Sequence, residues 1–122
     1  MKNPNKRYEA DEQANLIQWC EFASGKYPEL KLIFHIPNGG SRNKIEAVNL
    51  KRQGVKAGVP DLFLPVARKG KHGLFIEMKV LPNKCTPKQE EWLTALAEQG
   101  YRTTVCFSFE QAKDALLDYL GE

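Results

Sequence analysis

Asp61, Glu77 and Lys79 are the residues whose types and spacing are best suited to chemistry. They fall in two apolar segments that flank a polar turn over 68–73, a pattern that predicts a β-hairpin. If the turn is centred near Lys69, Asp61 lies directly opposite Glu77, with Cβ atoms about 4.5–5.5 Å apart. The sequence therefore predicts a cross-strand pair of carboxylates with a lysine beside it.

The strand predicted over 74–80 has apolar residues on both of its faces, so we expect it to be buried on both sides. Glu77 and Lys79 share one face, where an unpaired charge is costly. Two carboxylates about 5 Å apart repel by roughly 3 kcal/mol at an effective dielectric near 20. A shared proton or a cation relieves this repulsion, and Asp61 with Glu77 and nearby carbonyls suits Mg²⁺ or Mn²⁺. Lys79 would then stabilise anionic charge or position a water. The structural alternative is a buried Glu77–Lys79 ion pair beside an aspartate that begins a strand.

Two further polar residues are candidates for the same site. Glu12 precedes Leu16 and Cys20 at helical spacing on the apolar side of a predicted helix, so it points inward or is an ordinary acidic residue of a first helical turn. Gln89 completes a capping box with Thr86, which by itself explains its presence.

The aromatic and histidine residues have a structural interpretation. We interpret Trp19 and Trp92 as core residues rather than base-stacking platforms. His35, in a strand that a loop follows, is interpreted as a core histidine with its hydrogen bonds satisfied rather than as a general base.

Apolar periodicity and capping signals predict the elements that position these residues. Their order is helix, strand, helix, strand, strand, helix, strand, helix. This order favours an α/β fold with a central sheet flanked by helices on both faces. The predicted helices cover 9–24, 42–53 with Ser41 as cap, the segment from Thr86 to Gly100, and Ser108 to Tyr119; the strands cover 32–36, 60–65, 74–80 and 102–107.

Size and composition indicate one globular domain over 1–122, with 1–8 as a flexible basic N-terminus. The 122 residues are 42% hydrophobic and 27% charged, as in soluble proteins, and neither a membrane span nor a secretory signal is predicted. The three cysteines are distant from each other and form no Cys-x-x-Cys motif, which favours reduced thiols in the cytoplasm and excludes a zinc finger. Any metal is therefore expected to be hard and bound by oxygen.

Positive residues concentrate in two stretches, 42–56 and 68–71, although the net charge is only +3. Such a cluster binds phosphates or forms a solvated face. The loop Asn38-Gly39-Gly40 lets the backbone approach a phosphate, or is only a turn. The candidate DNA-binding residues are Asn38, Gly39, Gly40, Arg42, Lys44, Lys51, Arg52 and Lys56.

Pro60-Asp61 followed by Glu77-Met78-Lys79 after a hairpin turn resembles the PD-(D/E)xK nuclease signature. The wider pattern, from about residue 9 to 120, resembles the VRR-NUC (virus-type replication and repair nuclease) family, in its stand-alone viral or bacterial form. The motifs that carry the resemblance are Glu12, Pro37-Asn38-Gly39-Gly40, Gly54, Gly58-Val59-Pro60-Asp61, Ile76-Glu77-Met78-Lys79 and Gln89.

This resemblance implies a restriction-endonuclease-like fold with a mixed sheet. It implies that Asp61 and Glu77 bind a divalent metal, Mg²⁺ or Mn²⁺, with the Met78 carbonyl and Glu12 as further ligands. Lys79 would orient or activate the attacking water, and Gln89 would support the site. Stand-alone members resemble Holliday junction resolvases and tend to be homodimers, located here in a bacterial or phage-infected cell.

We therefore expect a metal-dependent, structure-specific DNA endonuclease that hydrolyses phosphodiesters of branched DNA such as four-way junctions. Metal would neutralise charge and lower the pKa of a bound water, and phosphates rather than base edges would be recognised. The alternatives are a non-catalytic DNA-binding module with the same fold, a sequence-specific restriction-type endonuclease, and a structural α/β protein with a buried ion pair.

Overall fold

The computed structural model describes residues 4–38 and 43–121. A 3₁₀ helix over Pro28–Leu32 joins the first helix to the first strand, and the other elements follow the predicted order. They are α1 (Pro4–Ala23), β1 (Phe34–His35), α2 (Lys44–Arg52), β2 (Leu62–Leu64), β3 (Leu74–Met78), α3 (Pro87–Glu98), β4 (Arg102–Cys106) and α4 (Phe109–Leu120).

The sheet in these residues is mixed and has the strand order β1-β2-β3-β4. β2 is antiparallel to β1 and to β3, whereas β3 and β4 are parallel and α3 connects them. The predicted hairpin turn is confirmed, since Arg68 and Lys71 form a bridge around Lys69-Gly70. Lys69 and Gly70 both have positive φ, as tight hairpin turns require. The hairpin thus makes β2 and β3 the centre of the sheet.

One face of β3 packs into a dry core. Leu74, Ile76 and Met78 are at most 1% exposed and form one cluster with residues of α1 and α4. Leu16 and Cys20 of α1 belong to this cluster, as the helical spacing predicted. The other face of β3 carries Phe75 and Glu77, and α3 reaches it through the Gln89 side chain. The prediction of helices on both faces of a central sheet is confirmed.

The predicted caps of α3 are confirmed. Thr86 Oγ1 accepts the Gln89 backbone N–H at 3.2 Å, and Gln89 Oε1 accepts the Thr86 N–H at 2.9 Å. Ser108 caps α4 by accepting the N–H of Gln111. The Gln111 side chain, however, bonds Phe107 N rather than the cap residue itself. Both helices therefore start where the sequence signals predicted.

Some boundaries differ from the predicted ones. α1 begins at Pro4, within the segment that we expected to be a flexible basic N-terminus, and residues 1–3 lie outside the described residues. β1 has only two residues because the 3₁₀ helix takes up the preceding chain. α2 is capped by Asn43 instead of Ser41, which lies outside the described residues.

Two apolar residues of α2 do not enter the core. Ile45 is 75% exposed and Val48 is 57% exposed, and α2 has no buried residue. The helix lies in the connection between β1 and β2, and the helical spacing of its apolar residues does not correspond to a buried face. Along the described residues, no helix is long and apolar enough to cross a bilayer.

Candidate metal and nucleic-acid site

Asp61 and Glu77 meet across the hairpin. Leu62 pairs with Ile76 in the antiparallel register, so Asp61 and Glu77, one position further along each strand, lie opposite each other. Asp61 Oδ2 accepts the backbone N–H of Met78 at 2.7 Å. The backbone carbonyl of Asp61 accepts the N–H of Ile36 at 2.8 Å. Hydrogen bonds on two sides therefore fix the orientation of Asp61 at the start of β2.

Glu77 is the most unusual polar group of the site. It is 2% exposed, and its Oε1 atom is buried without a hydrogen-bond partner. Burial, first, and then the charge and hydrogen bond of the Asp61 carboxyl raise the pKa of Glu77 to about 9, although Lys79 opposes this rise. In the metal-free protein near neutral pH, Glu77 therefore holds a proton. A neutral carboxyl that a nearby cation would ionise is a common feature of functional sites.

Lys79 and Gln89 both approach the other oxygen of Glu77. Lys79 Nζ lies 4.0 Å from Glu77 Oε2, and the lysine is 7% exposed. Gln89 Nε2 donates to the same oxygen at 3.4 Å while its Oε1 completes the capping box. The two explanations for Gln89 are therefore compatible, because its opposite amide ends serve the helix cap and the carboxylate.

The structure does not bring Glu12 into the site. Glu12 Oε2 accepts the backbone N–H of Phe109, the first residue of α4, so this carboxylate caps a neighbouring helix. Glu12 is half-buried, and its predicted role at the metal is not supported by this geometry. The Glu12 carboxylate thus satisfies one of the N-terminal N–H groups of α4 that has no partner within that helix.

Glu9, rather than Glu12, is the glutamate of α1 whose charge affects Glu77. Its charge is close enough to raise the pKa of Glu77, and its Oε2 accepts the Asn83 side-chain N–H at 3.0 Å. Glu9 is not among the site residues predicted from the sequence. The available signal was its spacing, since Glu9 lies seven residues before Leu16 and therefore shares the buried stripe of α1.

His35 differs from its predicted environment. Its side chain is exposed rather than in the core, and Nδ1 contacts the Asp61 carbonyl oxygen at 2.9 Å. The histidine thus helps to fix the backbone of Asp61 and has a bonded partner there.

The predicted basic cluster is partly described. Lys44, Lys51, Arg52 and Lys56 are exposed, as is Asn38, which is consistent with contacts to DNA phosphates and equally with a solvated face. The predicted residues Gly39, Gly40 and Arg42 lie outside the described residues.

Trp92 does not lie in the main core, contrary to its interpretation from sequence. Together with Ile36, Val55, Lys56 and Val59 it lines a groove of about 370 Å³. Trp19, in contrast, packs against the core cluster, as its interpretation from sequence required. No sequence signal distinguishes the two tryptophans, because both follow helical apolar spacing.

The donor set fits a hard divalent cation. Two carboxylates face each other, one oxygen of Glu77 is buried and partnerless, and the backbone of Met78 is adjacent. Within 4–38 and 43–121, no group of three or more His, Cys, Asp or Glu side chains is placed to hold a metal. A two-carboxylate site suits Mg²⁺ or Mn²⁺, which keep several waters in their coordination shell.

Comparisons with known proteins agree with the fold. The model of the VRR-NUC domain matches residues 1–110. A solved structure described as a VRR_NUC domain protein is similar at a TM-score of 0.74 and 31% identity, covering 92% of this chain and 87% of that chain. No curated protein sequence matches. Because the family model spans most of the chain and the fold agrees, this chain belongs to the VRR-NUC domain family of nucleases.

Proposed function

We propose that this chain is a divalent-metal-dependent endonuclease that hydrolyses phosphodiester bonds of branched DNA, with four-way junctions as the first substrate to test. The observation that carries the proposal is the partnerless, buried Oε1 of Glu77, opposite Asp61 in a nuclease fold. Within the described residues Glu77 Oε1 has no hydrogen-bond partner, and a cation bound between Glu77 and Asp61 would satisfy it.

Asp61, Glu77 and the Met78 carbonyl would hold Mg²⁺ or Mn²⁺, and Glu9 replaces Glu12 as the contributor from α1. When bound, such an ion neutralises phosphate charge and makes a water more acidic. Asp61 is held for this role by the N–H of Met78. Ionisation of Glu77 releases its proton to solvent when a cation approaches.

Lys79 and Gln89 are the protein side chains that would assist the reaction beside the metal ligands. With Glu77 ionised and engaged, the buried Lys79 ammonium is positioned to stabilise negative charge that develops on the phosphate. Gln89 holds Glu77 Oε2 and is itself oriented by the N-cap of α3. The first turn of α3 would therefore orient Glu77 as a metal ligand, which is the function of a supporting hydrogen bond in a metal site.

The exposed lysines and arginine of 44–56 would bind the flanking DNA backbone. Phosphate contacts of this kind position DNA without reading its sequence, which favours recognition by shape over a restriction-type specificity. We also propose a homodimer. The exposed Ile45 and Val48 of α2 support this proposal, because exposed apolar residues grouped on one helix are typical of interaction surfaces.

The test compares labelled four-way junction, splayed-arm DNA and linear duplex incubated with purified protein in Mg²⁺, Mn²⁺ or EDTA. We expect cleavage of branched DNA that requires metal, and loss of cleavage in Glu77→Gln. Binding of DNA without cleavage of any substrate would identify a non-catalytic module instead. Discrete fragments from linear plasmid would identify a sequence-specific enzyme, and cleavage that persists in Glu77→Gln would locate the active site elsewhere. Sedimentation of wild type and Ile45→Lys tests the dimer, since the variant is expected to be monomeric.

A further inference from the structure

The groove lined by Trp92, Ile36, Val55, Val59 and Lys56, which we call the Trp92 groove, adjoins the carboxylate pair. Ile36 donates its N–H to the Asp61 carbonyl at 2.8 Å, and Val59 lies two residues before Asp61. Trp92 lies three residues after Gln89, so the two side chains share one side of α3. The groove therefore begins where the site ends, and DNA held at the carboxylates passes over or beside it.

The lining of the Trp92 groove combines two chemical properties. Three aliphatic side chains and an indole provide apolar and aromatic surface, while Lys56 adds a positive charge. Lys51 and Arg52 lie in the last turn of α2, immediately before the segment that forms the groove. A nucleotide has the complementary combination, because its base has an apolar π-face and its phosphate is anionic. The volume of about 370 Å³ lies within the range of small-molecule sites.

The Trp92 ring is held in position by close packing of the preceding loop. Gly58 has φ +91°, and a Cβ atom at that position would lie 2.9 Å from Trp92 Cδ1 and 2.6 Å from Lys88 Cγ. Only glycine permits this approach of the loop to α3. One edge of the indole is thus fixed by the loop, while other atoms of the half-exposed ring line the groove.

A second groove, of about 430 Å³, provides an internal comparison. It is lined by Trp19, Phe22 and Phe109, and Lys113 Nζ lies 5.8 Å from the Trp19 ring. It is formed by α1 and the start of α4, the helices that cover the apolar face of β3, and not by α3 or the loop that leads to Asp61. Both grooves have a tryptophan in their lining and a lysine at or near them, but their positions relative to the carboxylates differ.

We propose that the Trp92 groove binds an unpaired nucleobase of the DNA strand being cut, stacked on Trp92, with a phosphate of the same strand at Lys56. This inference rests on the proposed function and assigns to it a preference for DNA with unstacked nucleotides near the branch. Fully stacked duplex has no free base face to offer, so it would bind through phosphates alone.

The experiment uses the two tryptophans as separate reporters in the full chain. Trp19→Phe leaves Trp92 as the fluorophore, and Trp92→Phe leaves Trp19. Each protein is titrated in EDTA with splayed-arm DNA and with blunt duplex of equal phosphate number, while anisotropy of labelled DNA reports total binding. We expect quenching of Trp92 by the splayed-arm DNA alone, no change in Trp19, and unchanged cleavage by Trp19→Phe in Mg²⁺.

Substitution at the groove gives an independent readout. Trp92→Leu is expected to bind splayed-arm DNA about tenfold more weakly, about 1.4 kcal/mol, while its affinity for duplex is unchanged. Trp92→Phe retains an aromatic ring and restores most of the affinity. Lys56→Ala is expected to reduce the salt dependence of binding by about one ion, whereas Lys31→Ala, exposed at the opposite end of β1, is not.

The outcomes separate this inference from the proposed function. If DNA binds and is cut while Trp92 emission stays constant, or if Trp92→Leu weakens duplex and splayed-arm DNA equally, the nucleobase site is refuted and the nuclease proposal stands. If no DNA is bound or cut by any protein, both are refuted. Trp92→Leu is compared by circular dichroism and thermal melting, and the fluorescence titration decides if that variant does not fold.

Discussion

The two faces of β3 are built for different purposes. On one face, Leu74, Ile76 and Met78 are at most 1% exposed and are covered by α1 and α4. On the other, Phe75 stacks on Phe63 with ring centroids 4.2 Å apart, and the next position is Glu77, with a partnerless oxygen. Successive residues of β3 point to opposite faces. The apolar side chains that stabilise the fold and the buried Glu77, which destabilises it, are therefore neighbours in the sequence but lie on different faces.

This difference shows why a buried charge is informative here. The apolar face gains free energy from burial, about 25 cal/mol per Å² of apolar surface. Glu77 on the opposite face loses free energy if it ionises without a partner, which is why its pKa is raised. The presence of Glu77 at the centre of the sheet therefore favours a bound ligand that compensates the negative charge of its carboxylate. The following predictions test this contrast between the two faces.

The largest effect is expected for Glu77→Gln. Removing the carboxylate that would hold metal should lower DNA cleavage by about a thousandfold, the scale seen when a charge-stabilising group is lost. The amide has the same shape and is neutral, like the protonated Glu77, so the melting temperature of the metal-free protein should not fall. Cleavage rates and thermal melting check both parts. A variant that cuts DNA normally, or that unfolds, would contradict the proposed difference between the two faces of β3.

The second effect is a pH dependence of stability. The pKa of Glu77 is about 4.5 unfolded and about 9 in the folded protein, so between these values the folded state binds the proton more tightly. The favourable contribution is complete below pH 4.5, declines as the pH rises and is lost above about 9. Chemical denaturation of metal-free protein should therefore show a loss that approaches about 1.4 kcal/mol per pH unit, and Glu77→Gln should lack this component. Equal slopes in both proteins would contradict the assignment.

Third, substitution of Glu9 and of Glu12, both in α1, should have different effects. Glu9→Gln is expected to weaken metal binding by about 10- to 100-fold, the range for groups that support a metal site. Glu12→Gln should leave metal binding unchanged and lower stability by about 1 kcal/mol, because it weakens a cap on α4. Metal titrations of cleavage and denaturant unfolding of both variants measure this. The reverse pattern would restore the role that sequence reasoning gave to Glu12.

The smallest effect is expected on the apolar face. Ile76 is fully buried, and Ile76→Val should lower the free energy of unfolding by about 0.5–1.5 kcal/mol. Cleavage per folded molecule should not change, since the side chain points away from the carboxylates. Equilibrium unfolding and single-turnover rates test this prediction. A large loss of activity with intact folding would show that the two faces are coupled.

Much of the site could be predicted from the sequence because strand alternation and hairpin register are local rules. The turn at Lys69-Gly70 fixed the pairing of Asp61 with Glu77, and the Thr86 capping box located the start of α3. The choice between Glu9 and Glu12 could not be made this way. Both lie on the inner side of α1, and only the packing of α4 against that helix determines which carboxylate meets an N-terminal N–H.

The exposure of some apolar residues could also not be predicted from the sequence. Ile45 and Val48 have helical spacing but stay exposed because α2 makes no close layer with the sheet. Trp92 differs from Trp19 because the loop at Gly58 meets α3 and leaves a groove beside it. These are tertiary effects, in which the neighbours of a residue rather than its spacing decide its exposure.

The most direct test of the metal centre is calorimetric titration of metal-free protein with Mn²⁺ near pH 7.5, in two buffers of different ionisation enthalpy. If the polar face of β3 is a metal site, Mn²⁺ binds to wild type and displaces close to one proton per site, because Glu77 must ionise. Glu77→Gln should bind far more weakly and release none of that proton. Mn²⁺ binding of equal strength and equal proton release in both proteins, or no binding to wild type, would contradict this account.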